Sequence, residues 1–482
     1  MQWYEYLLIG LGALLLILIS VVLIRTACFK PKDNVIKDNS VIEFDKAKAV
    51  RSLAEMVKCK TISNADKEKE DKAEFEKFER LLPTLFPLTC LSCEKIKVKG
   101  RAIVYKLKGK SSASPSVLMS HYDVVPVEES MWSKPAFEGI MEDGVLWGRG
   151  TLDTKVTLNG AMNALENLLK QGFVPQNDIY LAFGGDEEVN GTGASSVVDY
   201  FEENGITPGL VVDEGGAVVQ NVFPGVKQAC GLIGIAEKGL LNAEFEVDSA
   251  GGHSSAPPPK TSIGRLSKAC VNIESNPFTF RITKPAKAMF DVLGRHSTFV
   301  YKMIFANLWL FKGALNFICK KSGGEINALM RTTVAFTQMQ GSSTINVMPP
   351  IASMCANLRL MKGDTVDSAL KELQEKANDK KIKVSKIAGY NPSRISRVDC
   401  DAYNKVATAV ASTWTDAIVS PYLMVQCSDS RHYGRISDKV YRFSAMALTK
   451  EERATIHGND ERITFENIYR STEFYIRLVK QL

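Results

Sequence analysis

The 482-residue chain is poor in histidine, with five in all, and poor in the features of a nucleic-acid binder. Its net charge is +6, from 60 basic and 54 acidic residues, and no dense basic stripe runs through it, so nucleic acid is not an expected partner. The ten cysteines are scattered, which argues against a disulfide-stapled scaffold and suits a reducing compartment. Cys90 and Cys93 form one C-x-x-C, but a zinc knuckle needs a second pair close by, and there is none. Internal repeats and low-complexity tracts are absent too, which leaves ordinary globular domains; at this length two or three are expected.

Long charge-free apolar runs are scarce. One exists, Tyr6–Ile24, nineteen residues long. At 1.5 Å rise per residue it nearly spans a hydrocarbon core of about 30 Å. No positive segment precedes it, and no small-residue cleavage site follows, so residues 1–30 read as a single-pass membrane anchor rather than a removed signal. Arg25, Lys30 and Lys32 follow the run and Glu5 precedes it, which favours a cytoplasmic C-terminal body. A second greasy stretch, Ser297–Lys321, is interrupted by Lys302 and Lys312 and does not read as a span. It reads as buried helices of an inserted module; the sharper alternative is a surface that meets a membrane or an acyl chain.

Residues 31–75 are polar and read as a linker leading into a helix. From about residue 100, short apolar runs alternate with helical patterns. "RAIVYKLKG", "SVLMSHYDVV", "DIYLAFGGD" and "GLVVDEGG" have strand character, while 159–172 and 194–205 have helical spacing. This alternation predicts an α/β domain with a largely parallel, buried central sheet. From residue 239 to 361 the pattern changes to alternating strands around a helix at 261–275, an α+β module inserted into the first domain. Residues 31–238 and 362–482 would then be the two parts of the α/β domain.

Acids crowd one predicted strand end: Asp186, Glu187 and Glu188 follow the apolar run 180–183 and two glycines. Adjacent carboxylates repel, and a bound cation would stabilise them. Zinc takes imidazole nitrogen and carboxylate oxygen, and two zincs can share a bridging carboxylate. In "SHYDVVP", His121 and Asp123 are two apart, so in a strand they face one side, where Asp123 can orient the imidazole of a metal ligand. "GRGTLDTK", "GGDEEVNG", "VVDEGG" and "IHGNDER" complete an ordered set of modest signals.

With these motifs the chain resembles the co-catalytic di-zinc metallopeptidases that include aminoacylase, carboxypeptidase S and the secreted N-fatty-acyl-amino-acid synthase/hydrolase, over about residues 45–482. The resemblance implies a zinc-exopeptidase-like catalytic domain with an inserted lid that also mediates homodimerisation. It implies two Zn2+ per chain, with Co2+ or Mn2+ as substitutes. One zinc would take His121 and Asp213, the other Glu188 and His457, with Asp153 bridging. Asp123 would clamp His121, and Glu187 would be the general base. In the lid, His253 of "AGGHSSAPP", Asn346 of "INVMPP" and Arg359 of "ANLRL" would hold the substrate, His253 often across a dimer. His296 and His432 have no motif partner and read as structural.

Two departures stand out. The family often has histidine where this chain has Gly185, and Asp or Met where it has Thr154. The second leaves open whether the peptide after Asp153 takes the family's cis form. The implied reaction is hydrolysis of an amide next to a free carboxylate, in a dipeptide or short peptide. An N-acyl or fatty-acyl amino acid substrate is the alternative within enzymes. An inactive membrane-tethered binding protein is the alternative outside them, and it would require a lost ligand or base.

Overall fold

The computed structural model describes residues 2–32 and 35–482; Asp33 and Asn34, inside the expected linker, lie outside them. The central sheet has eight strands. From one edge they run Cys93–Ile96, Ala102–Leu107, Asn177–Gly184, Ser111–His121, Leu210–Val219, Val440–Leu448, Cys230–Glu237 and Ile418–Met424. The four middle strands from 177–184 to 440–448 are mutually parallel, and 418–424 runs parallel to 230–237. The 93–107 hairpin joins antiparallel at one edge, and 230–237 runs antiparallel to 210–219 and 440–448, so the sheet is mixed rather than uniformly parallel. These strands carry near-continuous apolar runs because helices cover both faces.

On one face lie Lys155–Lys170 and Phe465–Val479, packed so closely that a side chain at Gly160 would meet Ser471 Oγ at 2.5 Å. Lys46–Val57, within the expected polar linker, is a core helix of this layer, with Ala49, Leu53 and Met56 fully buried. On the other face Gly193–Glu203 packs with the turn Asp429–Arg435.

The second sheet has four antiparallel strands in the order Thr333–Gln340, Ile351–Leu360, Gly239–Asp248 and Lys383–Tyr390. Alternate residues of 239–248 are buried, and the helices Ser262–Ser275 and Val366–Ala377 cover that face. Leu241, Phe245, Ile273, Leu358 and Leu373 share a core of their own.

Two expectations about the module need correction. It does not end at residue 361: the helix 366–377 and the edge strand 383–390 belong to its sheet and core, so the first domain resumes beyond Tyr390. The strand 383–390 is polar and mostly exposed, which hides it in the apolar pattern. The helices between 284 and 330 are not buried within the module either. Met289, Phe290, Leu293, Phe305 and Leu329 join the core of the eight-stranded sheet, and Lys284–His296 packs on the strand 418–424.

Trp3–Cys28 is one helix, the only one among the described residues long and apolar enough to cross a membrane by length and composition. Its last turns are fastened to the body. Arg25 donates to Asn307 Oδ1 at 3.1 Å and to the Ala306 carbonyl at 2.9 Å, and the Asn307 amide donates to the Val22 carbonyl at 3.2 Å.

Candidate metal centre

His121 ends the strand 111–121, and the acids of "GGDEE" follow the neighbouring parallel strand 177–184, so both lie beyond the same sheet edge. That is where ligands gather in open α/β sheets. A three-stranded ribbon brings in the remaining motifs. Arg462–Thr464 pairs with Val145–Trp147, which carries the His457 loop to the loop holding Asp153. The buried Glu461 locks these loops together: it pairs with Arg149 at 2.7 Å and accepts the N–H groups of Gly150, Leu152 and Asp153 at 3.0, 2.7 and 3.2 Å. The Asp153–Thr154 peptide is cis.

Two ligand groups result. His121, Asp153 and Glu214 form one; Asp153, Glu188 and His457 form the other; within each group the ligand atoms lie within 4.8 Å of one another. His121 Nε2 is 3.1 Å from Asp153 Oδ1 and 3.3 Å from Glu214 Oε1. His457 Nε2 is 3.0 Å from both Asp153 Oδ2 and Glu188 Oε2. Asp153 thus presents one oxygen to each group, the disposition of a bridging ligand.

Asp213 is in neither group. Successive side chains of a strand point to opposite faces, so along 210–219 only one of the adjacent acids can face His121. Glu214 does. Asp213 turns the other way, buried, and accepts the Ser430 N–H at 2.9 Å. Of the two adjacent acids it is therefore Glu214, one residue past the expected Asp213, that faces His121.

Asp123 acts more widely than a simple clamp. The His121 Nδ1–H donates to its carbonyl at 3.0 Å, with its carboxylate at 3.4 Å. That carboxylate also accepts the Ser63 hydroxyl at 2.7 Å and the N–H groups of Glu187 and Glu188 at 3.2 Å each. One buried acid thus positions the imidazole and the turn that carries the two glutamates. Asp186 faces away, accepting the Thr192 and Gly193 N–H groups at 3.1 and 3.0 Å ahead of the helix 193–203. Gly185 has its own reason: a side chain there would meet Tyr122 Oη at 2.5 Å and Arg101 Cδ at 2.8 Å. Tyr122, stacked on Phe78, occupies that space.

The electrostatics fit a cation. Burial pushes the carboxyl pKa values of Glu187, Glu188 and Glu214 up; His121 opposes this in all three, while neighbouring acids reinforce it. Burial would lower the pKa of His121, but the Glu214 charge and hydrogen bonds to Asp123, Asp153 and Glu214 raise it well above the usual value. His457 is raised to about 10 by its bonds to Asp153 and Glu188. Such a cluster holds protons where its own charges are too few to balance the acids, and a divalent cation satisfies the same oxygens and nitrogens. His432 shows the contrast: burial, with Arg431 and Arg435 beside it, lowers it to about 4, and it joins no ligand group.

A cavity of about 650 Å³ opens from the cluster. Asp153, Glu187, Glu188, Glu214 and His457 form one end; Phe223, Leu232, Met289, Leu293, Leu329 and Met446 line much of the rest. Arg359 reaches its edge, donating to Cys427 Sγ at 3.3 Å. His253 and Asn346 do not line this cavity; they sit together on the lid, where Ser254 N–H donates to the Asn346 carbonyl at 3.1 Å. Arg431 was not anticipated. It lies over the Tyr390 ring at 4.8 Å, and its charge acts on Asp429, whose carboxyl burial lifts to about 7. The only sequence signal for it was the polar run "SDSRHYG" at a strand end.

Fold and ligand set define a metallopeptidase-class hydrolase. The chain belongs to peptidase family M20/M25/M40, whose model matches residues 117–481. It is 32% identical over 481 residues to a probable carboxypeptidase S-like 2 of Dictyostelium discoideum, covering 98% of this chain and 92% of that one. It is 34% identical over 479 residues to an N-fatty-acyl-amino acid synthase/hydrolase of Xenopus tropicalis, covering 97% and 93%. Among solved structures, an M20 family metallo-carboxypeptidase of Sulfolobus solfataricus matches with a TM-score of 0.67 at 18% identity, over 90% of this chain and 98% of that one. The expected fold and amide-bond hydrolysis follow from this membership.

Proposed function

We propose that the protein hydrolyses the amide of N-acyl amino acids, with a long acyl chain lying in the apolar cavity. The observation that carries this reading is the cavity itself: about 650 Å³, opening at the ligand cluster, with an apolar stretch from Phe223 to Met446 along one part of its wall and Glu325, Lys450 and Arg453 along another. Cavities of this size enclose small organic ligands. The relative named as an N-fatty-acyl-amino acid synthase/hydrolase supports it. The relative named as carboxypeptidase S-like supports the other reading, dipeptide hydrolysis, which makes no use of that apolar stretch.

Two zinc ions suit the donor set: His121 and Glu214 for one, Glu188 and His457 for the other, with Asp153 between. When bound, such a pair supplies Lewis acidity that polarises a carbonyl and makes water nucleophilic near neutral pH. The chain's own residues do the rest. Glu187, which lines the cavity beside the ligand cluster, takes a proton from the attacking water at its carboxylate and returns it to the leaving amide nitrogen. Asp123 holds the Glu187 backbone in place for this transfer. Arg359 and Arg431, which donate to Cys427 and to the Ser428 carbonyl on the cavity lining, offer guanidinium groups to the substrate carboxylate. His253 and Asn346 serve the substrate from the lid of a partner subunit in a homodimer. The helix 3–28 anchors the chain as a single-pass membrane protein.

Filling the wall tests the reading. In Leu293→Phe/Leu329→Phe, the preferred acyl chain shortens while N-acetyl-leucine turnover stays. A chain-length profile identical to wild type would refute the cavity's role.

A further inference from the structure

The segment between 297 and 322 leaves large apolar side chains in the open. Phe299 is 61% exposed, Trp309 57% and Phe317 67%. Along the helix Leu308–Ser322, Trp309, Gly313 and Phe317 are four residues apart and share one face, with Leu310 and Ala314 beside them. Lys320 and Lys321 close its last turn, where lysines at a lipid interface direct their charge toward water. An exposed apolar patch of this kind on a folded body marks an interaction surface.

Its position indicates the occupant. Asn307, between the helices Phe299–Ala306 and Leu308–Ser322, is buried against Val22 and Thr26 in the last turns of the apolar helix 3–28. Arg25 closes the junction through Asn307 and Ala306. The patch therefore sits where the anchor would leave the bilayer. It also adjoins a second cavity that borders the one at the metal centre. This second cavity, of about 460 Å³, includes Thr298 and Tyr301 of this segment and shares Val222, Phe223 and Ile326 with the cavity of the metal centre.

We propose that the helices 299–306 and 308–322 lie in the surface of the lipid bilayer beside the anchor. An acyl chain then passes from the membrane by way of Tyr301, Ile326 and Phe223 toward the ligand cluster. The surface stands on the exposed face and the fastened anchor; the route rests also on the acyl-amino-acid reading above.

The test uses the full chain, carrying Trp3→Phe, reconstituted in phosphatidylcholine vesicles whose acyl chains are brominated near the headgroup. Bromine quenches tryptophan on contact. The expected result is a loss of emission that Trp309→Phe abolishes; equal quenching with and without Trp309 overturns the surface. A kinetic arm addresses the route. In Phe299→Ser/Trp309→Ser/Phe317→Ser, kcat/KM for vesicle-borne N-palmitoyl-leucine falls about tenfold, while that for N-acetyl-leucine holds. An equal fall for both substrates, or for neither, overturns the route. If wild-type protein turns over N-acetyl-leucine and dipeptides but not N-palmitoyl-leucine, the acyl reading fails and the route with it, while quenching still decides the surface.

Discussion

Glu461→Gln perturbs the lock that joins the two halves of the ligand set. Glu461 is fully buried, faces Arg149 at 2.7 Å and receives three backbone N–H groups, one of them from Asp153. Glutamine keeps one acceptor oxygen and turns an NH2 toward donors. Arg149, 2% exposed, then lacks its counter-charge. Breaking a buried ion pair on one side costs about 3–5 kcal/mol, and total stabilities run to about 5–15 kcal/mol, so the variant folds with a markedly lower denaturation midpoint. Loosening the Asp153 loop also weakens both ligand groups, because Asp153 belongs to both. Loss of a group that orients metal ligands costs roughly 10- to 100-fold in metal affinity. The assay is urea denaturation of the full chain in detergent, paired with zinc content after equilibration at graded free zinc. An unchanged midpoint together with unchanged zinc retention would refute the reasoning.

Four further outcomes follow from the same geometry. Glu187→Gln binds supplied zinc as wild type does and loses about 100- to 10,000-fold in kcat; wild-type turnover would remove it as the base. Glu214→Ala lowers bound zinc while Asp213→Asn retains it, and the opposite pattern by elemental analysis would reinstate Asp213. Gly185→His forces Tyr122 aside and costs about 1–3 kcal/mol, read as a lower denaturation midpoint. Glu70 is held at about 2, well below the usual 4.5: burial works against this, but Arg101, the Asn64 N–H and Lys67 overcome it. A depressed carboxyl contributes stability above its unfolded value and loses it as pH falls. The stability gap between wild type and Glu70→Gln should therefore be full above about 4.5 and vanish toward pH 2; a pH-independent gap would contradict this.

His121 and the acids 186–188 were legible because they sit at strand ends, where period and position are readable, whereas Asp153 and His457 lie in loops that only the family resemblance pointed to. His121, Asp153, Glu188 and His457 lie close together, an arrangement that could hold metal ions. The choice between Asp213 and Glu214 was not legible, since it depends on which face of one strand meets His121 and the motif carries both acids. The lid's last strand escaped because an exposed edge needs few apolar residues. The helices 284–330 were misplaced because apolar content says that a helix is covered, not by which domain. The reach of Asp123 to the Glu187 and Glu188 backbones depends on two adjacent strands in register, which no local pattern encodes.

The most direct measurement is free leucine released by the zinc-loaded full chain from N-palmitoyl-leucine and from leucyl-leucine. The account predicts a kcat/KM for the acyl substrate at least about tenfold higher, since Phe223, Leu232, Met289, Leu293, Leu329 and Met446 give the cavity an apolar stretch long enough to take an acyl chain. A preference for the dipeptide would contradict it and leave the cavity without a role in substrate choice.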